Sequence, residues 1–299
     1  MPEHPETQDP RPASRSPVPD PRSPLIAFIG GGNMARSLIG ALIGHGKPPA
    51  LIRVAEPRGE LRDALSRDFG VSAFADNSAA TIDADCVVLA VKPQVMRDVC
   101  AGLAGPLQNA RPLVISIAAG VRIAQLEGLL GAQQAIVRCM PNTPALVGAG
   151  ASGLYANRNA SASQRALAEN LLAAAGIVRW IDDEAQMDTV TALSGSGPAY
   201  FFLLVEAMED AAVELGLPRD TARALAAQTC LGAGQMLAAG EVPANELRRR
   251  VTSPHGTTAA ALEVFEQGGF HSLTRRALAA AQRRGAEMSA ELDQADTAE

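Results

Sequence analysis

The sequence predicts an α/β protein, with a doubly wound sheet in its N-terminal part followed by an all-helical domain. Short apolar runs alternate with helical patterns up to residue 183, which is the arrangement of βαβ units. A glycine-rich turn directly follows the first apolar run. From residue 184 the apolar residues recur at helical spacing, and no run there is typical of a strand. We therefore expect one domain over residues 25–183 and a second over residues 184–290.

The composition argues against several kinds of partner. The 299-residue chain has a net charge of −6, which disfavours nucleic acid and anionic membranes as partners. No apolar run approaches the roughly 18 residues of a membrane span. The four cysteines are scattered without a C-x-x-C pair, and the four histidines show no metal-ligand spacing. These observations favour a reduced, cytoplasmic protein that binds no metal.

Both ends of the chain are predicted to be disordered tails. Residues 1–24 contain eight prolines and have almost no apolar surface to bury. They also lack the apolar region of a secretory signal. The same disorder is expected of the short C-terminal segment, residues 291–299.

The first predicted strand, Leu25–Ile29, leads into a glycine-rich turn and then a helix. The pattern Gly30-x-Gly32-x-x-Ala35 fits the dinucleotide fingerprint of Rossmann-type domains. In that pattern Gly30 makes the tight turn and Gly32 lets a pyrophosphate approach the backbone. Ala35 allows the helix to pack closely on the strand. We therefore predict a dinucleotide-binding domain.

The second predicted strand, Leu51–Ala55, ends beside two residues that bear on the choice of cofactor. An acid such as Glu56 accepts from the ribose hydroxyls and favours NADH, whereas Arg58 can hold the 2′-phosphate of NADPH. Arg58 can equally be a solvated residue in the first turn of a helix that ends near Phe69. The sequence leaves the preference open.

Further apolar runs predict the remaining strands of the sheet. Ligands bind at the carboxyl ends of such strands, so Lys92 is either a cofactor contact or a surface lysine. The small-residue turn that begins at Ala118 leaves room for a nicotinamide ring. The predicted strands are Asp85–Val91, Leu113–Ile117, Ala135–Met140, Ala151–Tyr155 and Gly176–Ile181, the last two flanking a helix over Ser163–Ala175.

In the second domain, the stretch LRRRVTSPHGTTAAAL predicts two helices joined by a tight turn. Pro254 cannot continue the first helix, and Gly256 permits a positive φ. Thr257 or Thr258 can cap the second helix. Hydroxyls and free amides at a helix start suit a small carboxylate. The alternative is an ordinary capped junction between two helices.

Four stretches of the chain, in order over residues 25–288, resemble the signatures of pyrroline-5-carboxylate reductases. The resemblance implies reduction of the C=N bond of L-Δ1-pyrroline-5-carboxylate to L-proline, with hydride from NADPH or NADH. It also implies that the helical domain forms an interlocked homodimer, which often assembles into a decamer. The stretches are FIGGGNMA (Phe28–Ala35), VKPQ (Val91–Gln94) with MPNTPALVGAG (Met140–Gly150), LSGSGPAYFF (Leu193–Phe202) and LRRRVTSPHGTTAAAL (Leu247–Leu262).

The fingerprint and the resemblance together give the predicted site residues. By resemblance, the Thr258 hydroxyl lies near the imine nitrogen and is the catalytic group, while Glu241 either reaches over the site or is a surface acid beside Pro243. The substrate, a cyclic imino acid, is expected to contact Glu241, Ser253, Gly256, Thr257 and Thr258. The cofactor is expected to contact Gly30, Gly32, Asn33, Met34, Ala35, Glu56, Arg58, Asn77, Ala90, Lys92, Pro93 and Ala118.

One position departs from the family pattern. The family turn commonly reads S-P-G-G-T, whereas His255 replaces the first glycine here. If that position needs φ > 0, histidine is among the less penalised residues, so we expect His255 to be tolerated.

Two other functions stay open at this level. One is a related imine or β-hydroxyacid reductase with another substrate, although residues 185–299 contain no lysine of the kind that many hydroxyacid enzymes use. The other is a non-catalytic module that binds a dinucleotide. Nothing near Cys139 suggests an activated thiol.

Overall fold

A computed structural model describes residues 23–297, so the predicted N-terminal tail lies outside the described residues except for its last two positions. In the described chain, eight strands form one sheet in the order β3-β2-β1-β4-β5-β6-β7-β8. The strands are β1 (Ile26–Ile29), β2 (Ile52–Ala55), β3 (Ser72–Phe74), β4 (Cys86–Leu89), β5 (Leu113–Ser116), β6 (Ile136–Met140), β7 (Gly150–Ala156) and β8 (Gly176–Trp180).

The sheet has the predicted doubly wound topology. All neighbouring strands are parallel except the antiparallel pair β6–β7. From β1 the chain builds outward to β2 and β3, then crosses back to place β4 on the other side of β1. This reversal opens a crevice at the carboxyl ends of β1 and β4. The helices of this domain are α1 (Asn33–Gly44), α2 (Gly59–Phe69), α3 (Asn77–Thr81), α4 (Met96–Ala110), α5 (Ile123–Leu130) and α6 (Ala162–Ala173).

The central strands are buried on both faces, which explains their unbroken apolar sequence. Alternate residues of β1 enter two different cores: Ile26 and Phe28 pack with α1, and Ala27 and Ile29 pack with the α4 side. Each fully buried large side chain contributes about 1.5–3 kcal/mol to folding. The two cores hold the sheet rigidly between its helix layers, and the crevice lies at its edge.

The second domain is helical, as predicted. A π-helical turn at Thr191–Gly195 joins its first two helices, and Pro198 lies in the first turn of the second. Helices α8 and α9 pack together, yet Phe201, Phe202 and Leu203 remain 59%, 67% and 66% exposed. The helices are α7 (Met187–Val190), α8 (Gly197–Glu214), α9 (Arg219–Ala238), α10 (Ala244–Arg250), α11 (Thr257–Gln267) and α12 (Phe270–Thr297).

The structure differs from the sequence predictions in two elements. Strand β3 was not predicted, because three residues are too few to show a period. The predicted disorder of residues 291–299 is wrong for residues 291–297, which belong to α12. Leu292 packs against the core of the first domain, and this burial favours helix at that end. In the part of the chain that is described, no helix is both long and apolar enough to cross a membrane.

Candidate functional site

The glycine-rich turn lies at the crevice between β1 and β4. Gly30 has a φ of 98°, and its amide donates to Ala55 O at 2.8 Å. A Cβ atom at Gly30 would lie 2.7 Å from the Ala90 carbonyl oxygen. Only glycine fits both the backbone conformation and this close approach. The fold therefore places the turn directly beside Ala90, at the end of β4.

The start of α1 fits a pyrophosphate. Gly32 is the N-cap of α1 and provides no side-chain cap. A Cβ atom at Gly32 would meet no other atom within 4 Å, so the space above it is open. The first-turn amides, including those of Asn33 and Met34, have no intrahelical acceptor and suit an anion. Ala35 is 1% exposed and allows α1 to pack tightly on the sheet.

Glu56, at the end of β2, is buried against the glycine-rich turn. Its Oε2 accepts from the Gly31 amide at 3.1 Å, and its Oε1 accepts from Arg58 Nε at 2.9 Å and from the Arg58 amide at 3.2 Å. Burial raises the pKa of the Glu56 carboxyl, but these hydrogen bonds outweigh it and hold the pKa below its usual value. The Arg58 side chain is 69% exposed.

The other predicted cofactor residues lie at the same carboxyl edge of the sheet. Asn77 begins α3, whose cap is the Asp76 side chain accepting from Ala79 N at 2.7 Å. Lys92 is exposed and precedes Pro93 in a short 3₁₀ helix after β4. Ala118 is 5% exposed and follows β5.

The turn between α10 and α11 contains a residue at positive φ. The positive φ is at His255, at 62°, whereas Gly256 is extended with a φ of −82° and a ψ of 171°. Gly256 therefore does not use the positive φ that glycine permits, and His255 occupies a position that does need φ > 0, which is the condition under which the sequence leads us to expect a tolerated histidine. Gly256 is packed closely against Ser253: a Cβ atom there would lie 2.6 Å from Ser253 Oγ and 3.2 Å from Ser253 O, so the serine side chain would have to move.

The start of α11 differs from the prediction in detail. Gly256 is the N-cap and Thr257 is the first helical residue, so the prediction that a threonine caps this helix is wrong. The Gly256 amide donates to Ser253 O at 3.1 Å, which removes it from the predicted carboxylate site. With no side-chain cap, the first-turn amides of Thr257, Thr258 and Ala259 are left for a ligand.

The predicted substrate residues lie on the helical domain, and the predicted cofactor residues lie on the first domain. Thr252 Oγ1 donates to Arg248 O at 2.7 Å, and α11 packs on α12. Ser253 and Thr257 are exposed, as is Glu241, which follows α9. The turn is thus an open surface of this chain.

Two buried polar pairs that the sequence reasoning missed join the domains. Asn142, which is 8% exposed, donates from Nδ2 to Ser194 O at 3.0 Å and accepts at Oδ1 from Ala151 N at 2.9 Å. Arg138, which is 4% exposed, donates to Glu184 Oε1 at 2.8 Å. The partners are 52 and 46 residues apart, and no local sequence rule pairs them.

The cysteine thiols offer no activated nucleophile. Cys86, Cys100 and Cys139 are buried, and burial raises the pKa of both Cys100 and Cys139 to about 12. Cys230 is half-buried on α9. Among residues 23–297, no three His, Cys, Asp or Glu side chains are grouped as a metal site requires.

The strand order, the glycine-rich turn and the open start of α1 define a dinucleotide-binding protein of the NAD(P)-dependent oxidoreductase class. Residues 184–288 match the family model for the pyrroline-5-carboxylate reductase dimerisation domain. The reductase of that name from Pseudomonas aeruginosa is 54% identical over 272 residues, which cover 91% of this chain and 99% of the relative. The chain belongs to the pyrroline-5-carboxylate reductase family.

Other comparisons agree with this assignment. Residues 25–120 match the family model described as NADP oxidoreductase, coenzyme F420-dependent. A pyrroline-5-carboxylate reductase structure from Coxiella burnetii has a TM-score of 0.86 and 45% identity, covering 89% of this chain and 98% of that one. A Plasmodium falciparum pyrroline carboxylate reductase with NADP bound has a TM-score of 0.78 and 29% identity, with the same coverage of 89% and 98%.

Proposed function

We propose that this protein reduces the C=N bond of L-Δ1-pyrroline-5-carboxylate to give L-proline, the last step of proline biosynthesis. The bound cofactor, NADPH or NADH, supplies the hydride. The observation that carries the proposal is the pairing, in one chain, of an open dinucleotide crevice with an uncapped helix start suited to a carboxylate. The family relationship identifies the carboxylate-bearing cyclic imine whose C=N bond is reduced.

The first domain would hold the cofactor along one edge of its sheet. The amides at the start of α1 would bind the pyrophosphate, because they lack acceptors within the helix. Glu56 and Arg58 would meet the adenosine ribose or its 2′-phosphate. Ala90, Pro93 and the turn that begins at Ala118 would line the path toward the nicotinamide.

The helical domain would hold the substrate. Amides in the first turn of α11 would bind the carboxylate, with Ser253 shaping the turn. The Thr258 hydroxyl would hydrogen-bond the ring nitrogen, and Glu241 would approach the site from the α9–α10 connection. Cyclic imines are protonated fairly easily, so the main task of these groups is alignment of the imine carbon for hydride transfer.

A second copy of the chain would complete the site. The α10–α11 turn is an open surface, and the apolar side chains of α8 and α9 are uncovered in one chain. We infer a homodimer in which this apolar face is buried, so that the turn of one subunit can meet a cofactor crevice. The resemblance supports further assembly into a decamer. Four unpaired cysteines support a cytoplasmic location.

The test of the dimer is the oligomeric state of Phe202→Glu, measured by sedimentation. Because Phe202 is 67% exposed in the single chain, a charge there should leave the subunit folded and prevent its association. We expect monomers that still bind 2′,5′-ADP and have lost turnover. Fully active monomers would rule out a site shared between subunits.

The activity itself is tested with purified protein, pyrroline-5-carboxylate and each cofactor in turn. Oxidation of the cofactor with matching formation of proline is the expected result. A six-membered cyclic imine and a β-hydroxyacid serve as competing substrates, and preference for either would favour a related reductase. If the protein binds the cofactor tightly but turns over none of these substrates, only the alternative of a non-catalytic dinucleotide-binding module would remain.

A further inference from the structure

The loop between β5 and α5, residues 117–122, leaves the carboxyl edge of the sheet on the side of β1 opposite to β2. Ala118 and Val121 are 5% and 4% exposed, and Gly120 is buried with a φ of 80°. The loop therefore has a fixed conformation. The side chains that fix it from outside the sheet belong to the helical domain, and they approach from two directions.

The first contact is made by Glu184. Its Oε1 accepts from the Ile123 amide at 2.9 Å, at the point where the loop becomes α5, and from Arg138 Nη1 at 2.8 Å. The Arg138 side chain is 5% exposed and that of Glu184 is 24% exposed. Removal of the carboxylate would leave a buried guanidinium without its anion, which is costly. Glu184 thus ties the first residue of the dimerisation domain to the end of the loop.

The second contact is made by the C-terminal part of α12. A Cβ atom at Gly120 would lie 3.4 Å from Leu292 Cδ1 and 3.7 Å from Ser289 Oγ. Ser289 is 1% exposed and donates to Gly285 O at 3.1 Å. Leu292 packs against the core that contains Ala118 and Val121. Leu292 lies beyond residue 288, where the match to the family model of this domain ends.

Helix α12 is itself held in place by the start of the helical domain. Gln282 Nε2 donates to Thr189 Oγ1 at 2.8 Å, and Gly285 lies against the Asp188 side chain. Both partners belong to α7, which follows Glu184 closely in the chain. The two contacts on the loop are therefore parts of one packed unit.

We propose that Glu184 and Leu292 are positioning residues for hydride transfer, acting through the backbone of residues 118–120. The inference rests on the proposed cofactor site, in which this turn lines the nicotinamide end. Neither side chain needs to touch the cofactor. They fix the surface against which the ring lies, while the adenosine end is held by residues after β1 and β2. Small errors in the alignment of reacting atoms are costly, so a loosened loop slows the hydride step.

The test is a series at Leu292 in the full-length oligomeric enzyme. Leu292→Ala should lower the single-turnover rate of hydride transfer about tenfold to a hundredfold. Affinity for ADP-ribose, which carries no nicotinamide, should change less than about twofold. Leu292→Met should restore most of the rate, because methionine refills a gap of this size. Glu291→Ala, an exposed neighbour on the same helix, is the matched control and should behave as wild type.

Glu184→Gln should give the same split between hydride transfer and ADP-ribose affinity. If that variant does not fold, the Leu292 series alone decides the proposal. A normal hydride rate in folded Leu292→Ala would overturn the proposal, as would an equal loss of ADP-ribose affinity. A wild-type enzyme without turnover would instead refute the proposed function. In that case the positioning role would be tested by binding alone: Leu292→Ala should lower the affinity for NADPH more than the affinity for ADP-ribose.

Discussion

Arg58 Nε donates to the buried Glu56 Oε1 at 2.9 Å, so the two residues proposed to meet the cofactor's ribose are bound to each other. The other oxygen of Glu56 is occupied by the Gly31 amide. The carboxylate therefore supports the glycine-rich turn. The Arg58 guanidinium is held by one nitrogen and is largely exposed, which leaves its other nitrogens available to a phosphate. If Arg58 meets the ribose as proposed, we expect a preference for NADPH.

Arg58→Ala should raise the KM for NADPH about tenfold and leave the KM for NADH nearly unchanged, since only NADPH has the 2′-phosphate. Steady-state kinetics with both cofactors measure the difference. Arg67→Ala is the matched control, because Arg67 is an exposed arginine in the last turn of α2, the helix that begins just after Arg58, and it should alter neither constant. Equal increases in KM for both cofactors would mean that Arg58 acts through Glu56 and not on the 2′-phosphate, and unchanged KM values would make Arg58 a plain surface residue.

The stability of the protein should depend on pH through Glu56. Its pKa in the folded protein lies below the ordinary value of 4.5, so the unfolded state binds protons first on acidification. The stabilisation is complete above pH 4.5 and is lost as pH falls through the folded pKa. The Tm of wild type should exceed that of Glu56→Gln near neutral pH, and the gap should narrow below 4.5. A Tm difference between wild type and Glu56→Gln that stays constant with pH would contradict a lowered pKa of Glu56 in the folded protein.

The central strands could be predicted from sequence because burial on both faces leaves an unbroken apolar run, as in Cys86–Leu89. The glycine-rich turn at the cofactor crevice could also be predicted from sequence, because its glycines form a local pattern. The three-residue β3 carries no such pattern. Contacts between the domains, such as that of Glu184 with Arg138, depend on the tertiary fold and have no signal in local spacing.

The α10–α11 turn shows a subtler limit. The sequence places a proline, a histidine and a glycine together, and glycine is the usual residue at positive φ. The structure gives that conformation to His255 and uses Gly256 for its close approach to Ser253. The sequence allows a positive φ at either position, since His255 stands where the family has a glycine, and only the folded turn shows which residue adopts it.

Asn142 should contribute to stability, because its side chain donates to the Ser194 carbonyl and accepts from the Ala151 amide, which lie in two other segments of the chain. Asn142→Ala should reduce the free energy of unfolding by about 1–3 kcal/mol, since buried partners are left unpaired. Asn142→Asp keeps the acceptor for Ala151 N and loses the donor to Ser194 O, so it should also destabilise. Urea titration measures both. The exposed Asn109→Ala is the control and should stay within about 0.5 kcal/mol of wild type.

His255→Gly and Gly256→Ala should have opposite effects. The first relieves a positive φ of 62° and should stabilise the protein slightly, by up to about 1 kcal/mol, with substrate KM nearly unchanged. The second places a Cβ atom 2.6 Å from Ser253 Oγ and 3.2 Å from Ser253 O, so the Ser253 side chain must move, and the substrate KM should rise because Ser253 shapes the proposed carboxylate site. Proline should weaken as an inhibitor of Gly256→Ala in parallel. A rise in KM for His255→Gly alone would mean that the histidine ring contacts the substrate.

Thr258→Ala tests the group proposed to act at the imine. Thr258 lies in the first turn of α11, and alanine preserves both the helix and its free amides. If the hydroxyl hydrogen-bonds the ring nitrogen as charge changes in the transition state, its loss should cost about 1–3 kcal/mol, or about five- to 150-fold in kcat/KM. Tm and cofactor affinity should barely change, because the hydroxyl supplies no cap to α11.

Thr257→Ala, the exposed neighbour, is the control for loss of a hydroxyl in the same turn and should have a smaller effect on kcat/KM. Normal kinetics for Thr258→Ala would leave the α10–α11 turn as a helix junction, and the carboxylate and imine contacts would have to be sought elsewhere.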